Sequence, residues 1–153
     1  MSAVRPKVYL YHTRVKWEGE RKGTLACDDK PDIGFATPPE FQGHPGLWSP
    51  EDLYVAAANT CFMSTFITFA SRLGVRFLAY ESGSEGLLTT SDGKFKFTEI
   101  TLTPRVTVAS QDDAEKAHQA LAQAHEHCLV ANSMGNRVVV RGEVVVAGQA
   151  RNE

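Results

Sequence analysis

The 153-residue sequence has few cysteines and no excess of charge of either sign, and both facts narrow the class of protein. Three cysteines are too few, and odd in number, for the disulfide framework of a small secreted protein. Each is therefore interpreted as a buried, ligating or reactive thiol. Sixteen Lys and Arg residues against 18 Asp and Glu residues leave a net charge of -2, with no run of like charges. Nucleic acid and anionic membrane surfaces are thus not expected partners.

The sequence also lacks the segments and motifs of several common functions. Charge and proline occur within the first seven residues, before an apolar run can develop, so no secretory signal is predicted and a cytoplasmic location is expected. No glycine pattern matches a P-loop or a dinucleotide fingerprint, which disfavours the common nucleotide chemistries, and no cofactor is predicted. The length is typical of one domain, so residues 1–153 are expected to form a single domain.

One uncharged stretch, from Leu53 to Ser71, approaches the length of a membrane span. Five polar residues interrupt it: Asn59, Thr60, Ser64, Thr65 and Thr68. No second stretch of this kind and no basic flank accompany it. We interpret it as a helix buried inside a soluble protein, with no membrane partner.

Apolar periodicity and turn residues predict six strands and two helices. The predicted strands are Lys7–Trp17, Thr24–Cys27, Ile33–Thr37, Val75–Thr89, Lys94–Val108 and Asn136–Val146. A first helix is predicted over Pro50–Leu73, with Ser49 as its cap and Gly74 at its end, and a second over Gln111–His127. This order, with antiparallel hairpins in place of regular βαβ units, predicts the α+β class.

Two of the cysteines lie on the predicted helices. Cys61 is in the middle of the first helix among alanines and phenylalanines, where core packing is the usual role of a thiol. Cys128 ends a stripe of small and apolar residues on the second helix, spaced by three and four positions: Ala114, Ala117, Leu121, Ala124 and Cys128. The stripe predicts that Cys128 points to the core, where the apolar first helix is available to receive it. The two thiols are thus expected to be able to meet.

The sequence resembles the OsmC/Ohr family of thiol-dependent organic hydroperoxide reductases. The segment Ser49–Phe62, SPEDLYVAAANTCF, is similar to the family's Pro-Glu, Ala-rich, Cys-Phe signature, and residues 127–133, HCLVANS, are similar to its C-terminal cysteine segment. The Gly23-Thr24 pair also falls where the family places it. The resemblance implies antiparallel sheets around a long central helix with a second helix, in an intertwined homodimer.

The resemblance further implies a site and a reaction. Cys61 would be the peroxidatic cysteine, Cys128 the resolving cysteine and Glu51 a supporting carboxylate. Arg21 is the nearest counterpart of the arginine that activates the thiolate, because residues 35–40, the other place for it, contain no arginine. The substrate would be an organic hydroperoxide, and the reductant a dithiol, either lipoyl-type or another small dithiol.

Helix geometry adds a constraint on Glu51. Ten residues separate it from Cys61 on the same predicted helix, about 15 Å at about 1.5 Å per residue, with the two side chains in different directions. The carboxylate near Cys61 would therefore come from a second subunit or from a bent helix. Glu51 also has a purely structural interpretation as a partner of the helix dipole, and Arg21 as a solvated turn residue.

The remaining candidates keep structural interpretations. Cys27 has no counterpart in the family and is expected to be a buried strand thiol. His125 and Cys128 would be able to join Cys61 as zinc ligands, although solvated histidines are the usual outcome on a polar helix face and no metal site is predicted. Four aromatic residues suit either an apolar substrate pocket or the core: Trp48, Phe62, Phe66 and Phe69. The alternative to a peroxidase is a non-catalytic, stress-associated or small-molecule-binding protein of the same fold.

Overall fold

The computed structural model describes residues 4–149, and a division into two compact units falls between Leu53 and Tyr54. The described part of the first unit contains one antiparallel sheet, with the strands in chain order. Its elements are β1 (Arg14–Trp17), β2 (Lys22–Ala26), β3 (Ile33–Ala36) and a short 3-10 helix (Pro39–Phe41). The predicted second and third strands are confirmed to within two residues at each end.

The first strand is shorter than the sequence pattern predicts. Residues 4–13 form no strand, although the alternation of apolar residues favoured one from Lys7. β1 pairs with β2 from Arg14, opposite Ala26, to Trp17, opposite Gly23. Ala26 is the last residue of β2, so β2 ends opposite Arg14. The earlier residues consequently have no partner strand within the described range, and their apolar side chains are exposed.

Helix α1 (Pro50–Leu73) has the predicted bounds and the predicted cap. The Asp52 amide donates to the Ser49 hydroxyl at 3.0 Å, and the Ser49 amide donates to the Asp52 carboxylate at 2.9 Å. This reciprocal pair satisfies amides that the helix itself cannot bond. The helix ends at Gly74, whose φ of +70° is readily adopted by glycine.

The second unit contains a mixed sheet covered by helices. A long antiparallel hairpin is formed by β4 (Phe77–Ser91) and β5 (Lys94–Val108), and helix α2 (Gln111–His127) follows it. After α2 come the short helix α3 (Leu129–Ser133), which the sequence pattern did not predict, and the strands β6 (Arg137–Val140) and β7 (Glu143–Val146). The α+β class is confirmed.

The end of the chain differs from the prediction in two ways. The single strand expected over Asn136–Val146 is split into β6 and β7, and both run parallel to β5. A parallel return is possible because α2 carries the chain back across the sheet. The split lies opposite Pro104, which has no N–H to donate to a ladder.

The core of the second unit lies between α1, α2 and the sheet. Every fourth residue of α1 is completely buried: Ala58, Phe62, Phe66 and Ala70. The predicted stripe of α2 is confirmed, since each of its five members is buried. From the sheet, Ile100, Leu102, Val106 and Val108 complete the core. The alternation of these β5 residues matches the two-residue period of a strand.

Helix α1 is less buried than the sequence analysis predicted. It is long and apolar enough, by length and composition, to cross a membrane, a test that core helices of soluble proteins also pass. Only 22% of its apolar window is buried in the single chain, and Met63 and Ile67 are 39% and 42% exposed. One face of α1 therefore packs on its own chain, and the opposite face has no cover within the described residues.

Candidate functional site

Cys61 and Cys128 are neighbours in the structure, as the sequence analysis predicted. Cys61 lies half-buried in the middle of α1. Cys128 is completely buried between the end of α2 and the start of α3, and its sulfur is close enough to Cys61 for the two thiols to interact electrostatically. Both cysteines are free thiols. The arrangement holds a reduced dithiol in which only Cys61 has access to solvent.

The protonation of Cys128 follows from its surroundings. Burial raises the pKa of the Cys128 thiol, since a buried sulfur loses hydration when it ionises. The amides of Ala131 and Val130 oppose this effect, and the adjacent Cys61 sulfur adds to it. The net pKa is above the ordinary value, so Cys128 stays a thiol at neutral pH. It can act as a proton donor to Cys61.

Tyr80 packs close to this pair and is also neutral. Its ring lies 5.2 Å from that of Phe66, which belongs to the core beneath Cys61. Burial, and to a lesser degree the nearby Cys128 sulfur, raise the pKa of Tyr80 to about 12. Tyr80 therefore adds no charge near the cysteine pair at neutral pH.

An open groove of about 520 Å³ gives access to Cys61. One wall is a face of α1 and the other comes from the α2–α3 connection; the lining residues are Cys61, Ser64, Thr65, Thr68, Phe69, Arg72, His127 and Leu129. The groove is larger than a hydroperoxide group and within the usual range of small-molecule sites. An organic molecule can thus approach the Cys61 sulfur along α1.

Two groove residues were missed by the sequence analysis. Arg72 lies with its guanidinium carbon 5.2 Å from the Phe69 ring centroid, and His127, whose side chain is half exposed, packs its ring 5.3 Å from the same centroid. The signal for Arg72 was present in its spacing from Cys61, since eleven residues are slightly more than three turns of helix and bring it to the face of Cys61. For His127 the sequence held no comparable signal, because its position depends on how α2 ends.

The first unit places Arg21 and Glu51 apart from each other. Arg21 is exposed and donates to the Phe41 carbonyl oxygen at 3.2 Å, and no ion pair joins it to Glu51 within the described residues. Glu51 lies in the first turn of α1, half-buried. One of its carboxylate oxygens is buried with no hydrogen-bond partner in the described chain. Burying a carboxylate oxygen in this way destabilises the fold unless another group donates a hydrogen bond to it.

The other candidates have structural roles in the single chain. Cys27 is half-buried just after β2 and accepts a hydrogen bond from the Lys30 ammonium group at 3.5 Å. The His125 ring nitrogen contacts the Val138 carbonyl oxygen at 3.2 Å, and residues 4–149 contain no cluster of three metal-ligating side chains. Phe62 and Phe66 belong to the core, whereas Trp48 is 54% exposed.

Comparison with known proteins agrees with this architecture. One similar crystal structure is that of a protein from Legionella pneumophila, named as an organic hydroperoxide resistance protein OsmC, predicted redox protein and regulator of sulfide bond formation. Its sequence is 30% identical to this chain, and the two structures have a TM-score of 0.69 over 91% of this chain and 100% of that one. An OsmC-like protein of unknown function from Vibrio cholerae shares the fold, with 24% identity and a TM-score of 0.80 over 88% of this chain and 99% of that one. The uncharacterized protein YmaD of Bacillus subtilis is 26% identical over 141 residues, 89% of this chain and 93% of that protein.

The family assignment rests on the segment that carries both cysteines. The model of the OsmC-like protein family matches residues 43–143, which include α1, the β4–β5 hairpin, α2 and the Cys61–Cys128 pair. This match covers about two thirds of the chain, and the family's solved structures share the whole fold. The chain belongs to the OsmC-like protein family.

Proposed function

We propose that the protein is a cysteine-based peroxidase that reduces organic hydroperoxides to alcohols. The observation that carries this proposal is the pairing of a cysteine that lines an open groove, Cys61, with a neighbouring buried and protonated cysteine, Cys128. A relative at 30% identity carries the name of an organic hydroperoxide resistance protein, which supports the same substrate class. The apolar side chains of Phe69 and Leu129 in the groove favour an organic peroxide over hydrogen peroxide.

The proposed reaction has three steps. The Cys61 thiolate attacks the terminal peroxide oxygen, the O–O bond breaks, and the alkoxide leaves as an alcohol after taking a proton, which yields a Cys61 sulfenic acid. The Cys128 sulfur then attacks the Cys61 sulfur, a disulfide forms, and the sulfenic oxygen leaves as water. An external dithiol supplies two electrons and two protons, restores both thiols and becomes a disulfide itself. We propose a lipoyl-type or other small dithiol in this role.

Activation of Cys61 requires a cation or hydrogen-bond donor at its sulfur, because the thiolate is the nucleophile. Arg21 is proposed as this cation by its position in the sequence, and Glu51 as the carboxylate that supports it. The unpartnered Glu51 oxygen supports a function for the carboxylate beyond the helix dipole. Since Glu51 and Cys61 are about 15 Å apart along one continuous helix, we propose that the carboxylate acts on the cysteine of a second chain.

A homodimer also explains the uncovered face of α1. Met63 and Ile67 are large apolar residues left partly exposed in the single chain, and a second copy would bury them. Co-refolding of Cys61→Ser chains with Glu51→Ala chains tests this arrangement. Verified heterodimers of the two inactive variants are expected to regain part of the activity. No recovery, or a fully active monomer in sedimentation, would show that each site is built within one chain.

Single-turnover peroxide consumption tests the cysteine roles. Cys61→Ser should consume no cumene hydroperoxide, whereas Cys128→Ser should consume one equivalent and stop as a sulfenic acid or mixed disulfide. Equal single-turnover rates in the wild type and Cys61→Ser would remove the assignment of Cys61, and no peroxide consumption by the wild type would leave the non-catalytic alternative, a stress-associated or binding protein of this fold. We place the protein in the cytoplasm, where its three free thiols remain reduced.

A further inference from the structure

The Cys61 groove contains a cation without a partner. Among residues 4–149, Arg72 makes no hydrogen bond or ion pair, and its guanidinium group makes a cation–π contact with the Phe69 ring. No Asp or Glu side chain lines the groove. Glu126, whose side chain is 71% exposed, lies 4.0 Å from the ring nitrogen of the lining residue His127 and does not itself line the groove. The guanidinium therefore has its donors free for an anion that enters the groove.

The packing of Arg72 gives it a defined position. Its guanidinium lies over Phe69, one turn back toward Cys61, which is the direction that long side chains take on a helix. The Cα atoms of Cys61 and Arg72 are about 16 Å apart along α1, and the Arg72 side chain returns toward Cys61 by about one turn of helix. The space between them is bordered by Phe69 and, from the other wall, by Leu129.

We propose that Arg72 is an anion subsite of the Cys61 groove and selects hydroperoxides that carry a carboxylate at the far end of an alkyl chain. This inference rests on the proposed peroxidase function. The carboxylate pairs with the guanidinium, the alkyl chain lies along Phe69, and the hydroperoxide reaches the Cys61 sulfur. Arginine suits this role because its planar fork of donors binds both oxygens of a carboxylate.

A matched pair of substrates tests the subsite. Hydroperoxydecanoic acid, with the hydroperoxide at the chain end opposite the carboxylate, is compared with its methyl ester by kcat/KM. Arg72→Gln should lower the ratio of acid to ester about fivefold, because a partly exposed charged hydrogen bond is lost. Arg72→Lys should retain part of the preference, and raising the ionic strength should shrink it in the wild type. Arg141→Gln, which removes an exposed cation outside the groove, should leave the ratio unchanged.

A second readout separates this inference from the peroxidase proposal. Decanoate should slow the alkylation of Cys61 by iodoacetamide in the wild type, and this protection should disappear in Arg72→Gln but persist in Arg141→Gln. If no hydroperoxide is consumed but protection depends on Arg72, the peroxidase proposal fails and the anion subsite stands. An acid-to-ester ratio that is the same in the wild type and Arg72→Gln, or protection that is equal in both, would overturn the subsite.

Discussion

Replacing Phe66 with alanine should destabilise the protein by about 4 kcal/mol. Phe66 is completely buried on α1, and its ring centroid lies 5.4 Å from that of Phe77 and 5.2 Å from that of Tyr80. The loss combines the transfer free energy of the ring, the cavity left behind and two aromatic contacts of about 0.5–1.5 kcal/mol each.

Urea unfolding at one fixed protein concentration measures this effect. With a denaturant slope of about 2 kcal/mol per M, the midpoint should fall by about 2 M. Leu78→Ala is the matched control, because Leu78 is a large apolar residue of β4 that is 62% exposed in the single chain. Its direct cost should be below about 1 kcal/mol in the monomer. A Phe66→Ala midpoint within experimental error of the wild type would refute the assignment of this ring to the core.

Three further predictions concern other residues. The Arg76 amide and the Ser110 hydroxyl donate hydrogen bonds to the Asp113 carboxylate and hold its pKa below the ordinary 3.8. The stabilising effect of the carboxylate is therefore present above pH 3.8 and is lost as the pH falls through the lower pKa of the folded state. Urea midpoints of Asp113→Asn should depend less on pH below about pH 4 than those of the wild type, and equal pH dependence in the two proteins would contradict the network. Cys27→Ser should leave peroxide turnover within about twofold of the wild type, since the residue lies beside Lys30 and outside the Cys61 groove, and a large loss would give Cys27 a role in resolution. Gly86→Ala should destabilise the hairpin, because a Cβ atom would lie 2.5 Å from the Val55 side chain and 2.8 Å from the Phe97 ring; an unchanged thermal midpoint would argue against this close packing.

The sequence predicted the elements that carry strong local signals. Both long helices have the predicted bounds because Ser49 and Ser110 cap them and an apolar stripe runs along each. The meeting of Cys61 and Cys128 followed from the α2 stripe, whose last member is Cys128.

Features that depend on distant partners were not predictable in the same way. The alternation of apolar and polar residues from Lys7 to Trp17 is a local property of the sequence, but a strand also needs a neighbouring strand. Because β2 ends opposite Arg14, the residues before Arg14 have no strand to pair with in the described chain. The division between β6 and β7 depends on Pro104, about 40 residues earlier in the chain. The position of His127 depends on its contact with Phe69 of another helix.

Counting thiols after one equivalent of an organic hydroperoxide tests the central claim most directly. The fully reduced wild-type protein is treated anaerobically with cumene hydroperoxide, its remaining thiols are alkylated, and the products are mapped by mass spectrometry. The cysteine pair of the structure predicts that two of the three thiols are lost per chain, as a disulfide between Cys61 and Cys128, with Cys27 still alkylated. Three alkylated thiols per chain, or a disulfide that includes Cys27, would contradict the proposed peroxidase.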